Sequence, residues 1–155
     1  MSAEQWLLLA HLLCAFAFVS GGVLAGALQV GARRRDRPAE IALLLGLIRP
    51  AVALVGVGAL GTLIFGFALA RQMNLGNPLW LQLAFGFWLM SVLLGWAGGR
   101  GGRHTRQLAE REAAAGGTAS AELQAALRNP VETTLNAASF GALLVILVLM
   151  VWQPT

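Results

Sequence analysis

The stretch IALLLGLIRPAVALVGVGALGTLIFGFALA, residues 41–70, carries one charge, Arg49. As one helix it would extend roughly 45 Å, well beyond the ~30 Å of hydrocarbon in a bilayer. A single span of that length would have to tilt strongly. Arg49-Pro50 divides it. Proline is comfortable in the first turn of a helix, where its missing N–H costs nothing. The second membrane helix is therefore expected at about Pro50 to Ala70. Residues 41–48 become a short lead-in at the interface, with Arg49 snorkelling to the headgroups.

Three further apolar runs flank this one. The first covers about Trp6 to Gly31 and stops at Arg33-Arg34-Arg35-Asp36-Arg37-Pro38. The third covers about Leu79 to Gly98, with Trp80 and Trp96 near its ends, where aromatic belts sit. The last covers about Thr134 to Trp152, and Pro154 follows. Residues 71–78 read as a tight turn. The fold expected is an all-α, up-down antiparallel bundle of four transmembrane helices in a single domain.

Composition agrees. The chain has 155 residues, of which 57% are hydrophobic and 12% charged. Soluble domains average about 45–50% apolar and about 25% charged. A soluble chain of this size has too little interior to hide so much apolar surface. The opening residues carry Glu4 and no basic side chain, whereas a cleavable signal wants a basic start. The first run is thus expected to be retained in the membrane.

The one long polar segment covers about residues 99–130. Residues 103–115 suggest a surface helix, with Arg106 and Glu110 one turn apart. Gly116-Gly117 breaks it, Ser120 can cap a second short helix, and Asn129-Pro130 stops that one. All eleven basic residues are arginine, and ten of them lie in this loop, in the loop after the first run, or at Arg49. Only Arg71 lies on the other side. The positive-inside rule then puts both termini outside a bacterial plasma (inner) membrane. A pI near 11.3 could suggest nucleic-acid binding, but the net charge is only +4 and topology explains the arginines, so no nucleic-acid partner is expected. The basic loops would favour anionic lipid, which is ordinary topology.

Apolar side chains prefer each other no more than lipid, so helix association needs close packing or polar contacts. Small residues recur at suitable spacing: Gly22 and Gly26, Gly58 and Gly61, Ser91, Gly95 and Gly99, Ala137 and Gly141. They are read as helix-packing positions. Gln29, Gln82 and Asn136 suggest interhelical or interfacial hydrogen bonds.

His11 stands out as an ionisable residue about two turns into the first span. Histidine can ligate haem iron. Cys14, three residues on, shares its face, and the two could bind a soft metal such as copper with an outer methionine such as Met73. The plainer reading makes His11 a hydrogen-bonder to a neighbouring helix and Cys14 a small hydrophobe. No carboxylate lies deep in a span, and no Walker, dinucleotide or zincin motif occurs. No catalytic residues are assigned.

His11-Leu12-Leu13-Cys14-Ala15-Phe16-Ala17-Phe18-Val19-Ser20-Gly21-Gly22 resembles the first helix of the integral membrane family called domain of unknown function 2269. The basic break after it, the Gly-rich second helix, Pro78-Leu79-Trp80-Leu81 and the Gly-Gly-Arg ending of the third span are also similar. The resemblance covers nearly the whole chain and implies a membrane bundle without an assigned activity. More distantly, His11, Phe18 and Gly21 resemble the first helix of copper-resistance D-type and HemJ-type membrane proteins. That likeness implies haem binding at His11; a membrane lysine is also important in the HemJ type, and this sequence contains no lysine. The expectation is a non-enzymatic accessory or transport-related membrane protein, alone, as a homo-oligomer or in a larger membrane complex. A haem redox protein and a copper handler are the alternatives.

Overall fold

A computed structural model describes residues 2–74, 76 and 78–152. Leu75 and Asn77 of the expected turn, and Pro154, lie outside the described residues. Six helices form among the described residues: α1 (Ala3–Ala32), α2 (Pro38–Gln72), α3 (Leu79–Gly98), α4 (Gly102–Ala115), α5 (Ala121–Leu127) and α6 (Pro130–Trp152). Four of the helical stretches are long and apolar enough to cross a membrane. The side chains they turn outward are those a bilayer accepts: Phe16 is 78% exposed and Val57 69%.

The ends follow local chemistry. Ser2 caps α1 with a reciprocal bond to Gln5. Ser120 caps α5 by accepting from the Leu123 N–H. The Asn129 side chain accepts from the Val131 N–H, so Asn129-Pro130 also starts α6, with proline at its first position. The expected Arg106–Glu110 ion pair forms at 3.2 Å.

The helices are paired. α1 packs antiparallel against α2, and α3 antiparallel against α6. All four meet in one apolar centre, where Phe18, Ala59 and Leu143 are buried among Val19, Val55, Trp88 and Val92. On the terminal side of this centre Phe67, Phe85 and Trp88 form an aromatic row linking α2 to α3.

The second helix departs from expectation. It does not begin at Pro50 but runs unbroken from Pro38 through Arg49-Pro50. Pro50 leaves the Gly46 carbonyl without its intrahelical donor, a cost that would ordinarily bend or end a helix. Tertiary burial outweighs it. Ile41 and Leu45 pack with Ala32, Ala109, Leu123 and Leu127 in a second core, on the side of the long polar loop. Residues 41–48 therefore continue the same helix and form the spine onto which α4 and α5 fold. The Ala119 N–H donates to the Asp36 carbonyl, and the Gln124 side chain to the Arg35 carbonyl, binding the two basic loops together.

Candidate functional site

The α1–α2 seam is built on glycine. A Cβ added to Gly21 would sit 2.8 Å from the Ala51 carbonyl oxygen, and one on Gly58 2.8 Å from the Cys14 carbonyl oxygen. The backbones touch directly. Further towards the termini, Gly61 makes room for the Cys14 sulfur, and Gly66 for the His11 ring, whose Cε1 lies 3.1 Å from the added Cβ.

That space brings His11 Nδ1 within 3.1 Å of the Thr62 carbonyl oxygen. A carbonyl only accepts, so Nδ1–H donates, and in the neutral form of the ring the lone pair is then on Nε2. The Thr62 hydroxyl and the Trp88 indole nitrogen are buried with no hydrogen-bond partner. His11 is thus both the expected interhelical hydrogen-bonder and a residue with one nitrogen free to accept or ligate.

The copper set is not brought together. Cys14 packs its sulfur against Gly61, whereas Met73 lies twelve residues further along α2, roughly 18 Å at helical rise. Among the described residues no group of three His, Cys, Asp or Glu side chains is placed to hold a metal.

The α3–α6 seam uses serine. Ser91 Oγ donates to the Ser139 carbonyl at 2.9 Å, and Ser139 Oγ to the Ser91 carbonyl at 2.7 Å. Gly95 admits the Ser139 hydroxyl, and Gly98 admits Asn136.

Four of the expected packing positions fall elsewhere. Gly22, Gly26 and Gly141 have nothing within 4 Å of an added Cβ, and Ala137 is exposed. The reason is register. α1 turns Cys14, Phe18 and Gly21 to α2, and α6 turns Asn136, Ser139 and Leu143 inward. A residue one or two places from such a stripe points 100–200° away on a helix of about 3.6 residues per turn. Gly99, too, is exposed at the end of α3, and Gly98 takes the packing role.

On the loop side, α1 and α6 are joined by polar contacts. The Asn136 side-chain amide donates to Gln29 at 3.4 Å, and the Arg33 guanidinium donates to the Thr133 hydroxyl at 2.6 Å. Glu132 lies in the first turn of α6, just outside the expected span, with its carboxylate against Gly101 and accepting from Asn129. Burial pushes its carboxyl above the ordinary glutamate range, while the Arg33 charge and the Asn129 bond pull back. Arg33 Nε is buried without a partner. The Gln29 and Asn136 contact follows the expectation for polar residues near helix ends. Glu132 was not foreseen, and the only hint was a carboxylate two residues after Pro130. Arg49 and His104 are exposed.

No protein-family model, curated protein or solved structure matches this chain. The arrangement itself offers two polar features: an oriented imidazole between α1 and α2, and a cluster of Gln29, Arg33, Thr133 and Asn136 that ties α1 to α6.

Proposed function

We propose that this chain is a non-enzymatic accessory or transport-related component of a bacterial plasma membrane, multi-pass, with both termini outside, and that it works in association with further membrane helices. The observation that carries the reading is the pair of small-residue faces left unused in the fold. Gly22 and Gly26 on α1, and Ala137 and Gly141 on α6, stand at four-residue spacing with no neighbouring helix against them. Such faces let another backbone approach closely. Ten of eleven arginines on one side support the orientation. The resemblance to domain of unknown function 2269 is compatible with the same reading.

The test is extraction from native membranes in mild detergent, followed by size analysis of wild type and of Gly22→Leu/Gly26→Leu and Ala137→Leu/Gly141→Leu. An assembly larger than the single chain is expected, lost in at least one variant that still folds. A wild-type chain that is monomeric and without companions would remove the proposal. Tags on the two ends, probed in intact cells, test the orientation.

One observation favours a second reading, a membrane redox protein with His11 as axial haem ligand. The Thr62 carbonyl holds Nδ1–H and leaves Nε2 available, and such a bond orients a ligating ring and raises its basicity. A haem there would supply one-electron chemistry. A second copy of the chain, or another subunit, would provide the opposite ligand. The reading predicts a Soret band in purified protein that disappears in His11→Ala. A colourless preparation from cells with ample haem would end it.

A further inference from the structure

Among the basic side chains of the loop side, one is held differently from the rest. Trp96 lies in the last turn of α3 and is 62% exposed, although Trp80 in the first turn is buried. The Arg100 guanidinium carbon sits 3.6 Å from the centre of the Trp96 ring. Arg35 and Arg106 are occupied by Glu40 and Glu110, but Arg100 has no ion pair with a described carboxylate. Gly98, Gly99, Gly101 and Gly102 surround it, so no neighbouring side chain in the turn covers it. Arg103, also exposed, follows in the first turn of α4.

A guanidinium over an indole ring keeps its charge and its N–H groups while losing side-chain freedom. Its N–H edge can then meet two phosphate oxygens at once. Tryptophan at the end of a span sits at headgroup depth. The Glu132 carboxylate lies against Gly101; it accepts from Asn129, and its burial disfavours the charged form.

We propose that Trp96 and Arg100 form a headgroup site for an anionic phospholipid, with Arg103 as the second cationic contact. The site rests on the membrane reading but not on the orientation of the chain, because a micelle has no sides. The occupant is the phosphodiester of the lipid in the adjoining leaflet. The aromatic ring and the acyl chains meet on the lipid face of α3, and the guanidinium takes the phosphate above it.

The full chain in detergent is titrated with phosphatidylglycerol or phosphatidylcholine, and retained lipid is counted by native mass spectrometry. Phosphatidylglycerol is expected to bind more tightly than phosphatidylcholine. Arg100→Gln should weaken phosphatidylglycerol binding by about fivefold, the factor that matches about 1 kcal/mol per arginine at an anionic surface. Trp96→Ala should weaken it by about threefold, the lower end of what an exposed cation–π contact contributes. Arg111→Gln, an equal charge change at the far end of α4, should alter it less than about twofold. Melting curves in phosphatidylcholine micelles verify that each variant folds. No preference for the anionic lipid, or equal losses in Arg100→Gln and Arg111→Gln, overturns the site while leaving a chain that needs detergent. A chain monodisperse without detergent overturns the membrane reading itself.

Discussion

Gly21 and Gly22 are adjacent in sequence and meet opposite surroundings, so the same substitution should act with opposite sign. Alanine at Gly21 would place its Cβ 2.8 Å from the Ala51 oxygen, 2.9 Å from the Val55 nitrogen and 2.9 Å from a Val55 methyl. Two of these are backbone atoms of α2, which cannot rotate away. Ordinary contact begins near 3.4 Å, so α1 and α2 must part by about half an ångström. Overpacking of this kind costs about 1–3 kcal/mol, against at most about 1 kcal/mol gained from replacing a helical glycine. With the full gain subtracted, the net loss at Gly21 is up to about 2 kcal/mol. At Gly22 nothing lies within 4 Å, and the gain of up to about 1 kcal/mol stands alone. Reversible unfolding of the detergent-dispersed monomer should therefore rank Gly22→Ala above wild type and Gly21→Ala below it. Equal stability of the two variants would refute the register of α1 on α2.

Two other expectations concern the polar contacts. Glu132 has a folded pKa raised above the ordinary value of 4.5, so the stability linked to its protonation is complete below that value and lost as pH rises through the raised pKa. Glu132→Gln should thus melt higher than wild type at pH 7.5 and equal to it near pH 4; a variant less stable at neutral pH would mean that the Arg33 attraction outweighs burial. The Ser91 and Ser139 hydroxyls, 3.3 Å apart, should give a coupling of about 0.6 kcal/mol in a Ser91→Ala, Ser139→Ala double-mutant cycle, the usual size between membrane helices. Additive losses would show that the two bonds form independently.

Much of the fold was legible because a bilayer demands it locally. Each span must satisfy its own backbone and turn apolar side chains outward, so length and composition suffice to find it. Caps were legible for the same reason: Ser120 bonds within three residues of itself. The site was legible only in part. His11 announced itself as a polar residue at membrane depth, but its partner, the Thr62 carbonyl, is a backbone atom 51 residues away and has no signature in sequence. The glycine richness of the second helix pointed to Gly58 and Gly61, which do meet α1, yet the four-residue spacing of Gly22 and Gly26 pointed to residues that face away. A four-residue repeat defines a face without saying which neighbour it meets.

By itself the sequence determined four apolar helices, their polar connections and the single side on which the arginines gather, since each of these is a local response to solvent and to charge. Only the tertiary structure decided that α2 continues through Pro50, because burial of Ile41 and Leu45 under α4 and α5 compensates for a lost hydrogen bond. It likewise decided that Arg33, at the end of α1, reaches the Thr133 hydroxyl of α6, and that Arg100 is stacked on Trp96. Contacts of that kind depend on how helices rotate and pair, and packing between distant segments sets those angles.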